Sequence, residues 1–440
     1  MAKLTFQGGV HPYEGKELSQ DFPSKDLLPG KQLIYPLSQH IGAPAKPIVA
    51  KGDRVLRGQK IAEAAGFVSA NIHSSVSGVV KAIEPRMMAG GAKVESIVIE
   101  NDEEYEEVSF EPLATPLSET SGEDILKRIQ EAGIVGMGGA GFPANVKLSP
   151  KEPEKIDTII ANCSECEPYL TSDYRRMVEE TKKLVAGMRV VLHLFPQARG
   201  VFGVEDNKPE AVRAISECIE QEERMEVAVL KTKYPQGGER TLIYAVTGRQ
   251  INSSMLPADV GCIVHNVDTL VAIYRAIYEG KPLIEGMVTV TGDAIANPGN
   301  FRVHLGMMAT DLLEAAGGYK EQPEKVIIGG SMMGRATATL DIPVHKTFSS
   351  ILALSKDAVA ANEPGNCIRC GRCATVCPGR IIPQKAAVAA AHGDKEAFVR
   401  LNGMECCECG CCSYICPAKR HLTHTIGAMR KQVLADRRKK

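Results

Sequence analysis

The chain has 440 residues, which at about 150 residues per domain implies roughly three domains. Lys plus Arg number 52 and Asp plus Glu 53, a net charge of −1. That balance excludes a nucleic-acid binder driven by global charge and an acidic disordered chain. No apolar run approaches the roughly 18 residues a membrane span needs. The start, Met1 to Gly9, carries no apolar signal segment, so a cytoplasmic protein is expected. In that setting fourteen cysteines read as metal ligands or redox groups, not disulfides.

After a 1–30 extension, residues 31–105 are short apolar stretches punctuated by Gly and Pro. Val49–Ile61, Ile72–Val80 and Val94–Ile99 predict a small β-sandwich or barrel. The run Gly52–Glu63 with His73–Ile83 resembles the lipoyl/biotinyl carrier fold. The hairpin between Ile61 and His73 holds Glu63, Ala64, Ala65, Gly66, Phe67 and Val68 and no Lys, so a structural module is expected, not a carrier. Asn101–Glu107 reads as an acidic linker. Over 106–280 the pattern alternates between helix and strand. Ser121 caps a helix over Glu123–Ile129. Ile156–Ala161, Val190–Phe195, Val201–Glu205 and Val227–Leu230 read as buried parallel strands. Tyr174–Met188 and Pro209–Arg224 read as helices between them. This predicts a Rossmann-like α/β domain with helices on both sheet faces. Its ligands are expected at the C-terminal strand ends. Residues 281–355, with strands at Gly286–Thr291 and Val326–Gly330 and a helix at Met308–Ala316, predict a β-grasp module. Residues 356–440 are helical and cysteine-rich. The basic end, Arg430–Lys440, is expected to be frayed and solvated, with an anionic lipid face or acidic partner as the lesser alternative.

The strongest motif is Cys367-x2-Cys370-x2-Cys373-x3-Cys377-Pro378. It recurs as Cys406-x2-Cys409-x2-Cys412-x3-Cys416-Pro417. This is the spacing of bacterial two-cluster ferredoxins, in which the fourth cysteine of each run completes the other cluster. One [4Fe–4S] cluster is therefore assigned to Cys367, Cys370, Cys373 and Cys416, and a second to Cys406, Cys409, Cys412 and Cys377. Zinc would need only two close ligand pairs. Cys407 and Cys411 lie inside the second run and are read as free thiols. Clusters move single electrons, so a two-electron cofactor is sought upstream. Gly136-Met137-Gly138-Gly139-Ala140-Gly141-Phe142-Pro143 can bring backbone amides close to a phosphate. Asn162–Pro168 follows a predicted strand, Tyr234–Arg240 follows another, and His265–Leu270 opens a helix.

These four segments resemble the FMN- and NADH-binding loops of the flavoprotein subunit of respiratory complex I. The resemblance implies FMN contacts from Gly136, Gly138, Gly139, Gly141, Lys147, Asn162, Ser164, Glu165, Cys166, Tyr234, Gly237, Asn266 and Thr269. It implies nicotinamide nucleotide contacts from Phe142, Glu167 and Glu239. Ser164, Cys166, Gly238 and His265 depart from that family's Asp, Ser, Glu and Asn. The order of sandwich, flavin domain, β-grasp and two-cluster ferredoxin, with Phe6–Pro12 and Lys233–Ile243, is similar to the RnfC family of the Rnf complex. That resemblance implies a multidomain electron-transfer subunit passing electrons between iron–sulfur clusters and NAD(H) through FMN. Its partners would be the other subunits of a membrane ferredoxin:NAD⁺ oxidoreductase that moves Na⁺ or H⁺, with ferredoxin reached through another subunit. Its place would be peripheral, on the inner face of the membrane. The alternatives are a soluble NADH-dependent donor to a dedicated reductase, of the kind associated with proline reductase, or a flavin-free electron relay. Cys163 and Cys166 are read as small loop residues, Cys218 and Cys262 as packing, and His11, His40 and His73 as structural.

Overall fold

The computed structural model describes residues 3–439. Met1, Ala2 and Lys440 lie outside the described residues. Near the N-terminus, strands Gln32–Pro36, Lys93–Asn101, Gly78–Met87 and Arg54–Val55 are neighbours, in that order, in an antiparallel sheet. Leu33 faces Ile99 and Tyr35 faces Ile97 across it, all four buried. Period-2 alternation puts such pairs on one face of the sheet. Strands Lys46–Pro47, Lys60–Glu63 and Ile72–His73 make the opposing sheet. The hairpin between the last two is the one the sequence predicts.

Four parallel strands form the next sheet, in the order Met225–Leu230, Arg199–Glu205, Thr158–Cys163, Cys262–Asn266. Ile159, Ile160, Val201, Val204, Ile263 and Val264 are buried in it, as a sheet covered on both faces requires. On one side Ile160, Leu230 and Val264 meet Leu242 and Ile243 of helix Glu239–Thr247. On the other, Ile159, Phe202 and Ile263 share a core with Leu184 and Met188 of helix Thr181–Leu194 and Leu270 of helix Val267–Tyr278. Ser121 caps helix Gly122–Glu131 by accepting from the Asp124 amide at 3.1 Å.

The sequence reading fails at Val190–Phe195, which ends the Thr181–Leu194 helix instead of forming a strand. A helix buried along most of its length is apolar nearly all round, so a six-residue window of it looks like a buried strand. The Tyr174–Met188 helix is two helices, Ser172–Glu179 and Thr181–Leu194, broken at Glu180. Helix Pro209–Cys218 stops well short of Arg224.

Strands Lys25–Asp26, Gly299–His304, Glu285–Thr291, Ser350–Leu354, Lys325–Ile328 and Arg335–Thr337 form a mixed six-stranded sheet, with helix Ala309–Ala315 in its connection. Its first strand comes from the N-terminal extension, paired in parallel with Phe301 and Arg302. Helices Pro383–Ala391, Lys395–Arg400 and Leu422–Lys439 enclose a separate small core of Ala386, Phe398, Met404, Ile426 and Met429. The basic end is therefore not frayed. It is an 18-residue helix whose Leu422, Ile426, Met429 and Val433 are buried. These recur every three or four residues, an amphipathic stripe that the charge run masks.

The Thr181–Leu194 and Val267–Tyr278 helices cross closely at Gly187. A Cβ there would stand 2.1 Å from the Leu270 carbonyl oxygen, which is backbone and cannot turn away. Gly187→Ala is expected to force the helices apart at a cost of about 1–3 kcal/mol. Thermal unfolding would show this as a lower midpoint, and an unchanged midpoint would show that the crossing has room for a methyl group.

Candidate functional site

The parallel strands end at one edge, and four polar loops meet there. The Asn162–Pro168 loop leaves strand Thr158–Cys163, and the Tyr234–Gly238 loop precedes helix Glu239–Thr247. Gly237 latches these two. Its amide donates to the Cys166 Sγ at 3.2 Å, and its carbonyl accepts from Asn162 Nδ2 at 2.8 Å. A Cβ at Gly237 would lie 3.2–3.3 Å from Asn162 Oδ1, Cys166 Sγ and Ser164 Cβ, so a side chain there would push these groups back by a few tenths of an ångström. The Gly-rich loop is closed at its base by the Gly136 amide donating to the Phe142 carbonyl at 2.9 Å. Its Met137 amide donates to Thr269 Oγ1 at 3.1 Å. Gly138 lies against the Asn266 side chain. Asn266 caps helix Val267–Tyr278, accepting from the Asp268 amide at 2.8 Å. The positive end of that helix dipole thus faces the Gly-rich loop.

Two buried ammonium groups hold the Asn162–Leu170 backbone. Lys16 Nζ donates to the carbonyls of Glu165, Glu167 and Leu170 at 2.8, 3.1 and 2.6 Å. Lys208 Nζ donates to the Ser164 carbonyl at 2.6 Å and to Glu205 Oε2 at 2.9 Å. Burial pulls the Lys16 pKa down. Burial acts the same way on Lys208, but the Glu205 and Glu165 carboxylates outweigh it and raise that group. Glu165 has a left-handed φ of 47°. Its carboxylate accepts from the Asp173 and Tyr174 amides at 2.7 and 3.1 Å. It caps helix Ser172–Glu179, and burial raises its pKa.

The three residues matched to nucleotide contacts sit differently from one another. Glu239 is exposed at the start of its helix and pairs with Lys147 Nζ at 3.2 Å. Lys147 Nζ also donates to the Val264 carbonyl at 2.8 Å. Phe142 is half-buried beside the Gly-rich loop. Glu167 reaches into the β-grasp sheet, where its Oε2 accepts from the Met332 amide at 3.1 Å. Burial pushes its carboxyl up to about 7. His265 is buried with its Nε2 unpartnered among the described residues, and burial takes its pKa down to about 3. It is neutral at any working pH.

The loops fit a phosphate-bearing flavin. Among the described residues, the amides of Gly138, Gly139, Ala140 and Gly141 donate to no protein acceptor. A Cβ at Gly139 would meet nothing within 4 Å. Oriented, unpaired amides beside a helix N-terminus are the donor set an anionic phosphate takes. The Gln236 carboxamide is fully buried with neither polar atom partnered, a cost that a polar ligand removes.

The two cysteine runs come together. Cys377 of the first run is within electrostatic reach of Cys406 and Cys412 of the second, Cys416 is within reach of Cys373, and Cys412 also feels Cys373. Burial first, then these neighbours, push the Cys406 thiol up to about 12. Among the described residues no three His, Cys, Asp or Glu side chains are already closed into a metal cage. Cys409 instead meets Cys407 and Cys411. Thiolates are the ligands iron–sulfur clusters take, and this cysteine-rich end is compatible with them. The second run abuts the flavin loops. Cys409 and Cys411 share a small core with Val10 and Tyr234, and Cys411 Sγ donates to the Tyr234 carbonyl at 3.8 Å.

The sequence does not single out Lys16, Lys208, Asp173 or Gln236. Nothing in the sequence marks Lys16 or Lys208, because the carbonyls they hold are main-chain atoms that no motif encodes. Gln236 does lie inside the Tyr234–Arg240 segment, whose glycines carry the signal there.

Comparison with known proteins agrees with this architecture. Residues 4–104 match the RnfC barrel sandwich hybrid domain, 129–275 the Nuo51 FMN-binding domain and 287–336 the SLBB domain. The chain is 43% identical over 436 residues to the C-subunit of the Na(+)-translocating ferredoxin:NAD(+) oxidoreductase complex of Acetobacterium woodii, covering 99% of this chain and 98% of that one. This chain belongs to that C-subunit family. A second member, from the proton-translocating complex of Clostridium ljungdahlii, is 44% identical, covering 87% of this chain and 84% of the relative. Among solved structures, an NAD⁺-reducing [NiFe]-hydrogenase shares the fold at a TM-score of 0.50 and 18% identity, over 73% of this chain and 62% of that one. No helix among the described residues is long and apolar enough to cross a membrane.

Glu167 couples pH to the junction between the flavin and SLBB domains of this family member. Its pKa of about 7 in the folded chain lies above the ordinary carboxyl value of 4.5. Between those values the folded chain holds a proton that the unfolded chain has lost. Its contribution to stability therefore falls as pH rises through that window, by on the order of 3 kcal/mol. Denaturant titrations at either end of the window should show Glu167→Gln flattening this decline. A wild-type chain equally stable at both ends would refute it.

Proposed function

We propose that this chain is the NAD-reactive electron-transfer subunit of a membrane ferredoxin:NAD⁺ oxidoreductase coupled to Na⁺ or H⁺ translocation, carrying FMN and two [4Fe–4S] clusters. The observation that carries the reading is the contact between the second cysteine run and the flavin loops. Cys409 and Cys411 pack directly on Tyr234, so a cluster held there would stand beside the loops that would hold FMN. Bound FMN supplies the conversion between a hydride and single electrons.

The chain's own residues position and insulate. The amides of Gly138 to Gly141 and the N-terminus of helix Val267–Tyr278 bind phosphate. Asn162, Ser164, Cys166 and Gly237 shape the wall that would hold the flavin. Glu239 hydrogen-bonds ribose hydroxyls, a common partner for a carboxylate in nucleotide sites. Phe142 and Glu167 border the same place. Arg240 pairs with Glu405 at 3.2 Å, and the Ser253 amide donates to Glu405 at 2.8 Å. These bonds fasten the cluster domain to the flavin domain. No side chain is required to act as acid or base. The chain sits peripherally, on the inner face of the membrane, against the complex's other subunits.

Chain purified without oxygen should hold about one FMN and about eight iron atoms, and NADH should bleach its absorbance. Iron without flavin, and no response to NADH, would leave only an electron relay. Cys377→Ala should lower iron by about half and abolish the signal of the cluster held by Cys406, Cys409 and Cys412. Loss of the other cluster's signal instead would reject the crossed assignment. Glu239→Ala should slow NADH oxidation while iron content stays the same. An unchanged rate would remove Glu239 from the nucleotide site.

A further inference from the structure

The two cysteine runs are internal copies, and their backbones agree. Arg369 and Glu408 have φ of 57° and 56°, Gly371 and Gly410 of 78° and 84°, Arg380 and Lys419 of 54° and 51°. Their surroundings do not agree. In the second run, Cys411 is fully buried on Tyr234 and Glu408 pairs with Arg430 at 2.9 Å. A Cβ at Gly410 would meet the Met332 carbonyl at 3.3 Å. In the first run the equivalent of Cys411 is Arg372 and the equivalent of Glu408 is Arg369. Both arginines are exposed and pair with no carboxylate among the described residues. Nothing lies within 4 Å of a Cβ at Gly371. Cys370 is exposed, and Ile368 beside it is 68% exposed. Lys419, also exposed and unpaired, adjoins this loop through the Gly365 amide, which donates to the Ala418 carbonyl at 2.9 Å.

Charge is segregated on the same scale. Residues 362–440 hold fourteen Lys and Arg against six Asp and Glu, a net of +8 in a chain of −1. The other 361 residues therefore carry −9. An exposed apolar residue with unpaired cations on and beside its loop, where that loop would hold a redox centre, suits a small, transient electron-transfer interface.

We propose that the Cys367–Cys373 loop is the docking face for an acidic one-electron-carrying protein, steered by Arg369, Arg372 and Lys419 onto the apolar Ile368. This rests on the cluster assignment proposed above. One electron leaves the carrier's reduced iron centre and reduces the cluster held by Cys367, Cys370, Cys373 and Cys416. Two such passages, with one proton from solvent, reduce NAD⁺ to NADH. Charge complementarity favours an acidic protein over a lipid surface, because the cations sit on and beside the cluster loop itself and electrons need close approach there.

The test uses full-length chain loaded with clusters and FMN, rapidly mixed with a dithionite-reduced, strongly acidic plant-type [2Fe–2S] ferredoxin. Its oxidation should slow by about tenfold or more from low to high ionic strength, as steered association does. Arg369→Glu with Arg372→Glu should lose about tenfold at low salt and most of the salt dependence. Glu is tolerated at this φ, since Glu408 already occupies the equivalent position. Iron content and bleaching by NADH should match wild type, which separates a failed docking face from a failed flavin or cluster assignment. If the double variant loses iron, Lys419→Glu, outside the ligand loop, should still slow the ferredoxin reaction about threefold. Variant rates and salt slopes equal to wild type would overturn the proposal. So would wild type sedimenting with phosphatidylglycerol vesicles while its ferredoxin rate ignores charge, which would make the face a membrane contact. A wild-type chain without clusters would overturn it together with the cluster reading.

Discussion

The Lys16 ammonium, seated on the carbonyls of Glu165, Glu167 and Leu170, is the constraint on which the site depends. A loop that must present side chains outward turns several of its carbonyls inward. Buried carbonyls without donors are costly. Lys16 answers three of them from the N-terminal extension and Lys208 a fourth from across the sheet. With the backbone fixed, Cys166 Sγ and Asn162 Nδ2 are in place to close on Gly237, and Glu165 is free to cap helix Ser172–Glu179. The Asn162–Leu170 wall of the site is therefore shaped by two cations held on its backbone.

The same constraint separates what the sequence discloses from what it hides. The meeting of the two cysteine runs is legible because their spacing repeats, and the structure places Cys377 near Cys406 and Cys416 near Cys373. The meeting of the four loops is legible because each contains Gly or a capping side chain beside an apolar run. Lys16 is not, because its partners are main-chain atoms about 150 residues away and carry no side-chain signature. The buried end of helix Thr181–Leu194 reads wrongly as a strand because solvent-free helices lose the polar stripe that marks the 3.6 period. The helical C-terminal region is legible, but its basic end reads as frayed for the converse reason: the exposed basic face obscures the stripe of Leu422, Ile426, Met429 and Val433 that holds the helix down.

Glu167 shows how a matched motif position can take on an extra task. The carboxylate, which we propose borders the nucleotide site, also accepts the Met332 amide in the turn between two β-grasp strands. A Cβ at Gly330 would stand 2.0 Å from it. Only a bare backbone admits the side chain. The flavin domain and its neighbour are thus joined at the rim of the site by a group whose charge changes near neutrality.

The N-terminal extension has a bearing on how the chain matures. Gly9 donates to Val376, Val10 bridges Tyr234 and Lys25 pairs with Phe301. These partners are synthesised hundreds of residues later. At about 5–20 residues per second the interval between Gly9 and Val376 is roughly 20–70 s. During it the nascent flavin sheet can form but its strap has only part of its anchorage. The last of these anchors, Gly9 on Val376, can form only after the cysteine-rich end has left the ribosome, so the N-terminal strap is fixed among the last parts of the chain.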